Sequence, residues 1–151
     1  MARRLELDVS YAARRPWVPN SRQLAGWAGA ALAPMRRSAV LSVRVVGLAR
    51  SRSLNAYYRR KDEPTNVLSF GGPGRTPDGR YFLGELVICA PVVAREALTL
   101  GKTLESHWAH MTVHGVLHLL GFDHEAAREA AKMAAREIQI LDRLGFSDPY
   151  R

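Results

Sequence analysis

The apolar positions of this chain change period several times, and each change marks an element. Leu5, Leu7 and Val9 alternate with Glu6 and Asp8, the two-residue period of a half-buried strand over residues 5–9. Asn20 and Gln23 form a capping-box pair. Leu24, Trp27, Ala28, Ala31 and Leu32 then share one helical face, which Pro34 ends. Alternation returns over residues 40–46, with Leu41, Val43 and Val45 on one side and Ser42 and Arg44 on the other, a second strand. Residues 53–58 predict a short helix, followed by the charged turn Arg59-Arg60-Lys61-Asp62-Glu63-Pro64. Residues 66–70 predict a third strand. Residues 71–79, with four glycines and two prolines, predict a loop of a length usually found where it is functional or mobile. Residues 83–90 give a fourth strand, and Pro91 opens a helix through Leu98.

The last third is helical. Thr103 is a good N-cap for a helix over residues 104–120, apolar nearly all round from Met111 onward, as a helix buried inside a domain should be. Gly121 interrupts the pattern. Ala127, Ala130, Ala131, Ala134, Ile138 and Leu141 then mark the buried face of a final helix ending near Gly145. No repeat, low-complexity tract or linker divides the chain. The expectation is one domain over residues 1–151, of the α+β (mixed α/β) class, with a small sheet covered by helices.

Composition narrows this picture only a little. An apolar fraction of 47% and a charged fraction of 24% are ordinary for a globular protein. The one cysteine, Cys89, lies in the apolar run Leu86-Val87-Ile88-Cys89-Ala90. It reads as a small buried residue in a reducing, cytoplasmic setting. No apolar stretch approaches the ~18 residues of a membrane span. Leu5-Glu6-Leu7-Asp8-Val9 stands where a signal peptide would be unbroken, so neither membrane nor export is expected. A net charge of +8 and a pI near 10.4 suit a polyanionic partner, although an arginine-rich composition alone produces the same excess.

The chemistry is concentrated in one place, since all five histidines fall between His107 and His124. His114, His118 and His124 have the spacing H-x3-H-x5-H. The first two share a helical face one turn apart, and a left-handed turn at Gly121 lets the chain double back to bring His124 to the same point. Three imidazoles leave the fourth position of a zinc tetrahedron open, the catalytic rather than the structural pattern. His110 is the rival for one place. However, His110, His114 and His118 span two turns, ~11 Å between outer Cα atoms, too far for one ion. His107 and His110 are therefore expected on a polar or substrate-side face. The spacing equals that of zinc proteases of the H-E-x-x-H-x-x-G-x-x-H type, but Gly115 stands where their glutamate base would be. The motif specifies a metal and argues against peptide hydrolysis.

Taken with the segment Leu54-Asn55-Ala56-Tyr57-Tyr58-Arg59-Arg60-Lys61-Asp62-Glu63-Pro64-Thr65-Asn66-Val67-Leu68-Ser69-Phe70, this motif resembles the YbeY family of bacterial metal-dependent endoribonucleases linked to ribosomal RNA maturation. The resemblance runs from Leu54 to Tyr150. It includes Leu83-Gly84-Glu85-Leu86 and Ala109-His110-Met111-Thr112-Val113-His114-Gly115. It implies a mixed four-stranded sheet with about five helices around it, one zinc ion on His114, His118 and His124, and a functionally important arginine at Arg59. Glu85 and Asn66 depart from the aspartates more usual in the family at those positions.

The residues support such chemistry. Phosphodiester cleavage needs an activated nucleophile and builds negative charge on the phosphoryl oxygens, and a three-histidine metal addresses both. Arg59 can clamp a phosphate and stabilise that charge, or it can simply pair with Asp62 or Glu63 at the surface. Arg60 and Lys61 are expected to contact the RNA backbone, with His110 a further substrate-side residue. Asp123 either orients an imidazole, accepts a proton or contacts substrate, or it N-caps the last helix. Tyr57 and Tyr58 can stack on bases, with core packing the expected use of at least one. The expected function is a zinc-dependent endoribonuclease directed at single-stranded regions of ribosomal RNA, acting in its processing and in ribosome quality control. A ribosomal subunit or ribosomal proteins are the further partners. Other divalent ions can occupy the same histidines. The alternatives are a non-catalytic assembly factor with a structural zinc site and a metallohydrolase of another substrate class.

Overall fold

The computed structural model describes residues 5–35, 38–122 and 125–151. Its strands are β1 (Leu5–Tyr11), β2 (Ala39–Val46), β3 (Val67–Arg75) and β4 (Tyr81–Cys89). Its helices are α1 (Ser21–Leu32), α2 (Leu48–Arg59), α3 (Ala90–Leu100), α4 (Leu104–Leu119) and α5 (Ala127–Arg143). The strands form a mixed sheet in the order β1-β2-β4-β3, parallel from β1 through β4 and antiparallel between β4 and β3. This is the α+β, four-stranded, five-helix architecture that the sequence predicts.

Burial explains how each strand reads. Only one face of the edge strand β1 is covered: Leu5, Leu7 and Val9 pack on the core while Glu6 and Asp8 face solvent. β4 is interior and covered on both faces. Leu86 and Ile88 join the main core, and Val87 and Cys89 join a second cluster with Val46, Leu68 and Val92. A strand buried on both sides must be apolar without alternation, hence the unbroken run from Leu86 to Cys89. Cys89 is fully buried, as expected.

α4 runs through the middle of the molecule, packed against α1, α3, α5, β3 and β4. Trp108, Ala109, Val113, Val116 and Leu117 are completely enclosed. Full burial of a side chain such as Leu117 stabilises the fold by roughly 1.5–3 kcal/mol. Gly115 lets the helix settle onto the sheet. A Cβ there would lie 2.8 Å from Leu86 Cδ2 and 3.3 Å from Val67 Cγ2.

Three elements differ from the sequence expectation. α2 begins at Leu48, five residues earlier than the helix predicted over 53–58. Its enclosed positions are Ser51 and Asn55, so it carries no apolar stripe to announce it. β3 continues to Arg75, and the glycine-rich segment over 71–75 is a bulged edge strand rather than a loop. Gly72 is needed there, because a Cβ would come within 2.5 Å of the Phe82 carbonyl oxygen. In α5 the buried residues are Met133, Glu137, Ile140 and Leu141, whereas Ala127 and Ala131 are exposed. Alanine offers little apolar area, so the larger side chains decide which face turns inward.

Candidate metal centre

Both ends of α4 are fixed by local chemistry. Thr103 Oγ1 accepts a hydrogen bond from the Ser106 amide at 3.1 Å, capping the N-terminus. At the other end Gly121 adopts φ +99°. The Gly121 amide donates to the His118 carbonyl and the Phe122 amide to the Leu117 carbonyl, each at 3.0 Å. This is a Schellman turn, which satisfies the Leu117 and His118 carbonyls and stops the helix. His124 and Asp123 lie beyond it, outside the described residues. α5 has Ala126 at its N-cap position, with no side-chain cap hydrogen bond.

Four histidines descend one side of α4. The ring centroids are 6.0 Å apart for His107 and His110, 6.2 Å for His110 and His114, and 4.8 Å for His114 and His118. His114 and His118 are half-buried, while His107 and His110 are enclosed rather than on a polar face. Their interior is polar by construction. His107 Nε2 lies 2.8 Å from Glu96 Oε1, and Asn66 Nδ2 donates to the same carboxylate. Asn66 thus has a structural partner, as does Glu85, which accepts two 3.1 Å bonds from Arg44.

Glu137, on the inward face of α5, is the acceptor for the next two histidines. Its Oε2 lies 3.0 Å from His110 Nε2 and 2.8 Å from His114 Nδ1, and its Oε1 accepts from the Tyr150 hydroxyl at 2.5 Å. Burial alone would raise the Glu137 pKa. The hydrogen bonds from His110, His114 and Tyr150 together outweigh it and hold the carboxyl at about 2. An ionised carboxylate only accepts, so each facing ring nitrogen must carry a proton. Burial lowers the pKa of His110 against the pull of Glu137, and burial beside that carboxylate raises the pKa of Tyr150.

These contacts test the donor set for a metal. Among the described residues, the ligand atoms of His110, His114 and Glu137 lie within 4.8 Å of one another and can hold an ion. His114 directs its Nδ1 proton at Glu137, and its ring stands 4.8 Å from that of His118 one turn on. Imidazole donors of this kind fit zinc.

The predicted phosphate-binding residues are elsewhere. Arg59 is the exposed last residue of α2, and Arg60 caps that helix in the left-handed conformation, φ 59°. Asp62 is claimed by Arg52, at 2.7 and 3.0 Å. Arg59, Arg60 and Lys61 are exposed and make no ion pair with a described residue. The surface pairing of Arg59 with Asp62 or Glu63 is therefore not formed. Tyr57 and Tyr58 are both exposed, at 79% and 58%, so neither is a core residue. Tyr58 stands edge-on to Phe70 at 4.8 Å. A contact chain links the two regions: Tyr58 meets Phe70, and the adjacent Ser69 donates to the Gly115 carbonyl at 3.1 Å, beside His114.

Glu137 and Tyr150 are the site residues that the sequence reading misses. A trace was present, because Met133, Glu137 and Leu141 recur at helical spacing and put a charge within an apolar stripe.

Three comparisons place the chain among known proteins. The family model described as Endoribonuclease YbeY matches residues 20–145. Proteins named Endoribonuclease YbeY from Stenotrophomonas maltophilia (strain R551-3) and Xanthomonas campestris pv. campestris (strain B100) are each 52% identical to it, over 97% of this chain and 94% of theirs. A solution structure of a Thermotoga maritima protein shares the fold, with a TM-score of 0.58 and 20% identity over 92% of this chain and 91% of that one. The match of both long motifs, in order and within one architecture, leaves a single conclusion: the chain belongs to the YbeY endoribonuclease family.

Proposed function

We propose that this protein is a zinc-dependent endoribonuclease that cuts single-stranded regions of ribosomal RNA during its maturation. His114, His118 and His124 hold one zinc ion, and Arg59 binds the scissile phosphate. The observation that carries the reading is the orientation of His114, whose Nδ1 is engaged by Glu137 at 2.8 Å and whose ring stands 4.8 Å from that of His118. The relatives named as endoribonucleases supply the substrate class.

When bound, a divalent ion supplies Lewis acidity toward a phosphoryl oxygen and an acidified water. The chain's own residues supply the rest. The Arg59 guanidinium, free of ion pairs with described residues, has its donors available to a phosphate and stabilises charge developing on the non-bridging oxygens. Arg60 and Lys61 extend the cationic strip along which the RNA backbone runs. The same reading places the protein in the cytoplasm with a ribosomal subunit as its larger partner. A buried free thiol and the lack, among described residues, of any helix long and apolar enough to cross a membrane accord with this.

The test pairs two variants. His114→Ala loses both bound zinc and RNA cleavage, whereas Arg59→Glu keeps zinc and the thermal unfolding of the parent but loses cleavage. Full cleavage by protein shown to be metal-free overturns the proposal. One observation favours a second reading, a structural ion enclosed by protein ligands: His110, His114 and Glu137 lie close enough to share an ion. X-ray absorption at the zinc edge separates the two. Three imidazoles plus a light-atom ligand support the catalytic site, and a carboxylate-containing shell of protein ligands supports the structural one.

A further inference from the structure

Glu137 is a buried carboxylate with more partners than the packing of α5 requires. It is 1% exposed and flanked on its helix by Met133, Ile140 and Leu141, which fix α5 against the core. An unpaired carboxylate at such a position would be strongly destabilising, so its presence calls for matched donors. The donors are three: His110 and His114 on α4, and Tyr150 beyond α5.

The tail is itself anchored. A second Schellman turn at Gly145, φ +91°, ends α5, with the Phe146 amide donating to the Leu141 carbonyl at 2.8 Å. Phe146 then meets Trp27 edge-on, Lys102 Nζ donates to the Pro149 carbonyl, and the Tyr150 amide donates to Asp148 Oδ1 at 2.8 Å. The Tyr150 hydroxyl is thereby delivered to Oε1, which leaves Oε2 turned toward both imidazoles.

We infer that Glu137, held by Tyr150, is the positioning residue of the metal centre: it fixes His114 as the tautomer protonated on Nδ1, so that Nε2 is presented to the ion. This rests on the reading of His114 as a ligand. Glu137 acts through His114 rather than as a ligand itself. Coordination by Oε2 would take from His110 and His114 the acceptor that satisfies both of their protons. Carboxylate–histidine–metal arrangements of this kind typically lose 10–100-fold in metal affinity when the outer carboxylate is removed. The C-terminal residues consequently belong to the centre although they do not touch the ion.

The experiment has a metal-free and a metal-loaded arm. Long-range imidazole 15N spectra of the zinc-free full chain should show the His114 proton on Nδ1 and the His110 proton on Nε2. In chelator competition, Glu137→Gln should release zinc about 10–100-fold more readily than the parent, with helical content unchanged. Tyr150→Phe, which keeps the ring and removes the hydroxyl, should show a smaller loss of a few fold. Glu137→Ala should be the worst binder, and glutamine, which retains one acceptor oxygen, should restore part of the difference. If Glu137→Ala does not fold, the glutamine and Tyr150→Phe variants decide the matter. A His114 proton on Nε2 overturns the inference. So does zinc retention by Glu137→Gln and Tyr150→Phe equal to that of a zinc-binding parent. A parent that retains no zinc overturns the metal reading beneath it instead, and the two failures are thereby distinguished.

Discussion

The two regions that carry the proposed chemistry are built in opposite ways. Along α4 three histidines are each matched to a carboxylate: Glu96 for His107, Glu137 for His110 and His114. At the end of α2 the cations Arg59, Arg60 and Lys61 stand in solvent without ion pairs to described residues. The contrast follows from the two tasks. A metal ligand must wait in one orientation, so its surroundings are organised before the ion arrives. A phosphate-binding cation must exchange water for a mobile polyanion, and an existing ion pair would compete with that exchange. Damage on the α4 side should therefore appear in the protein alone, and damage on the α2 side only once RNA is present.

The largest effect that tests this division is His118→Ala. Its ring faces His114 at 4.8 Å, and its loss should remove stoichiometric zinc and lower cleavage by ~100-fold or more, because a Lewis acid supplies several kcal/mol at the transition state. Metal analysis alone should detect the change, without substrate. Arg59→Ala comes next. Removing one charge-stabilising donor costs about 100–1,000-fold in turnover. Zinc content and the unfolding midpoint should match the parent. An Arg59 variant that loses zinc would merge the two regions and break the comparison.

Gly115 joins the regions and gives the third test. In the sequence its meaning is negative, the absence of a catalytic glutamate. In the structure it has a positive cause, since α4 approaches Leu86 and Val67 too closely for a side chain. Replacing glycine by alanine in a helix favours folding by roughly 1 kcal/mol, while overfilling a packed core costs about 1–3 kcal/mol. Leu86 is fully enclosed and cannot simply swing aside, so the second term wins. Gly115→Ala should lower stability by about 1 kcal/mol in chemical denaturation. Gly115→Glu should fail to fold, because its carboxylate would enter the core without a donor. Packing therefore opposes a glutamate at the position where the zinc proteases carry one.

The same contrast governs what was legible in the sequence. α4 could be read from Thr103 to Gly121 because its signals are local: a cap, an unbroken apolar surface and a left-handed stop. The capping box Asn20–Gln23 and the alternation of β2 were legible for the same reason. Glu137 was not, since a glutamate on a helix ordinarily faces water and its donors lie 13, 23 and 27 residues away. The bulged end of β3 was also hidden. Of the glycines that signal a flexible loop, Gly72 is there because Phe82 of the neighbouring strand comes too close for a side chain. Local chemistry announces itself along the chain, whereas chemistry assembled by topology does not.

The smallest effect sharpens the α2 side. Lys61 is exposed, carries no ion pair with a described residue and follows the left-handed Arg60 out of the helix. If it meets only the RNA backbone, Lys61→Ala should weaken binding a few fold at low salt. It should also lessen the slope of log affinity against log salt by about 0.7, one counterion's worth for a single strand. Turnover at saturating RNA should be conserved, with the loss confined to KM. Arg59→Ala should behave in the reverse manner, a loss in kcat with a salt slope reduced by a similar single step. Two cations two residues apart would then differ in what they do to the same phosphate chain. A Lys61 variant whose loss lies in kcat, with the salt slope unmoved, would make it a second transition-state residue and move the edge of the reactive site past the end of α2.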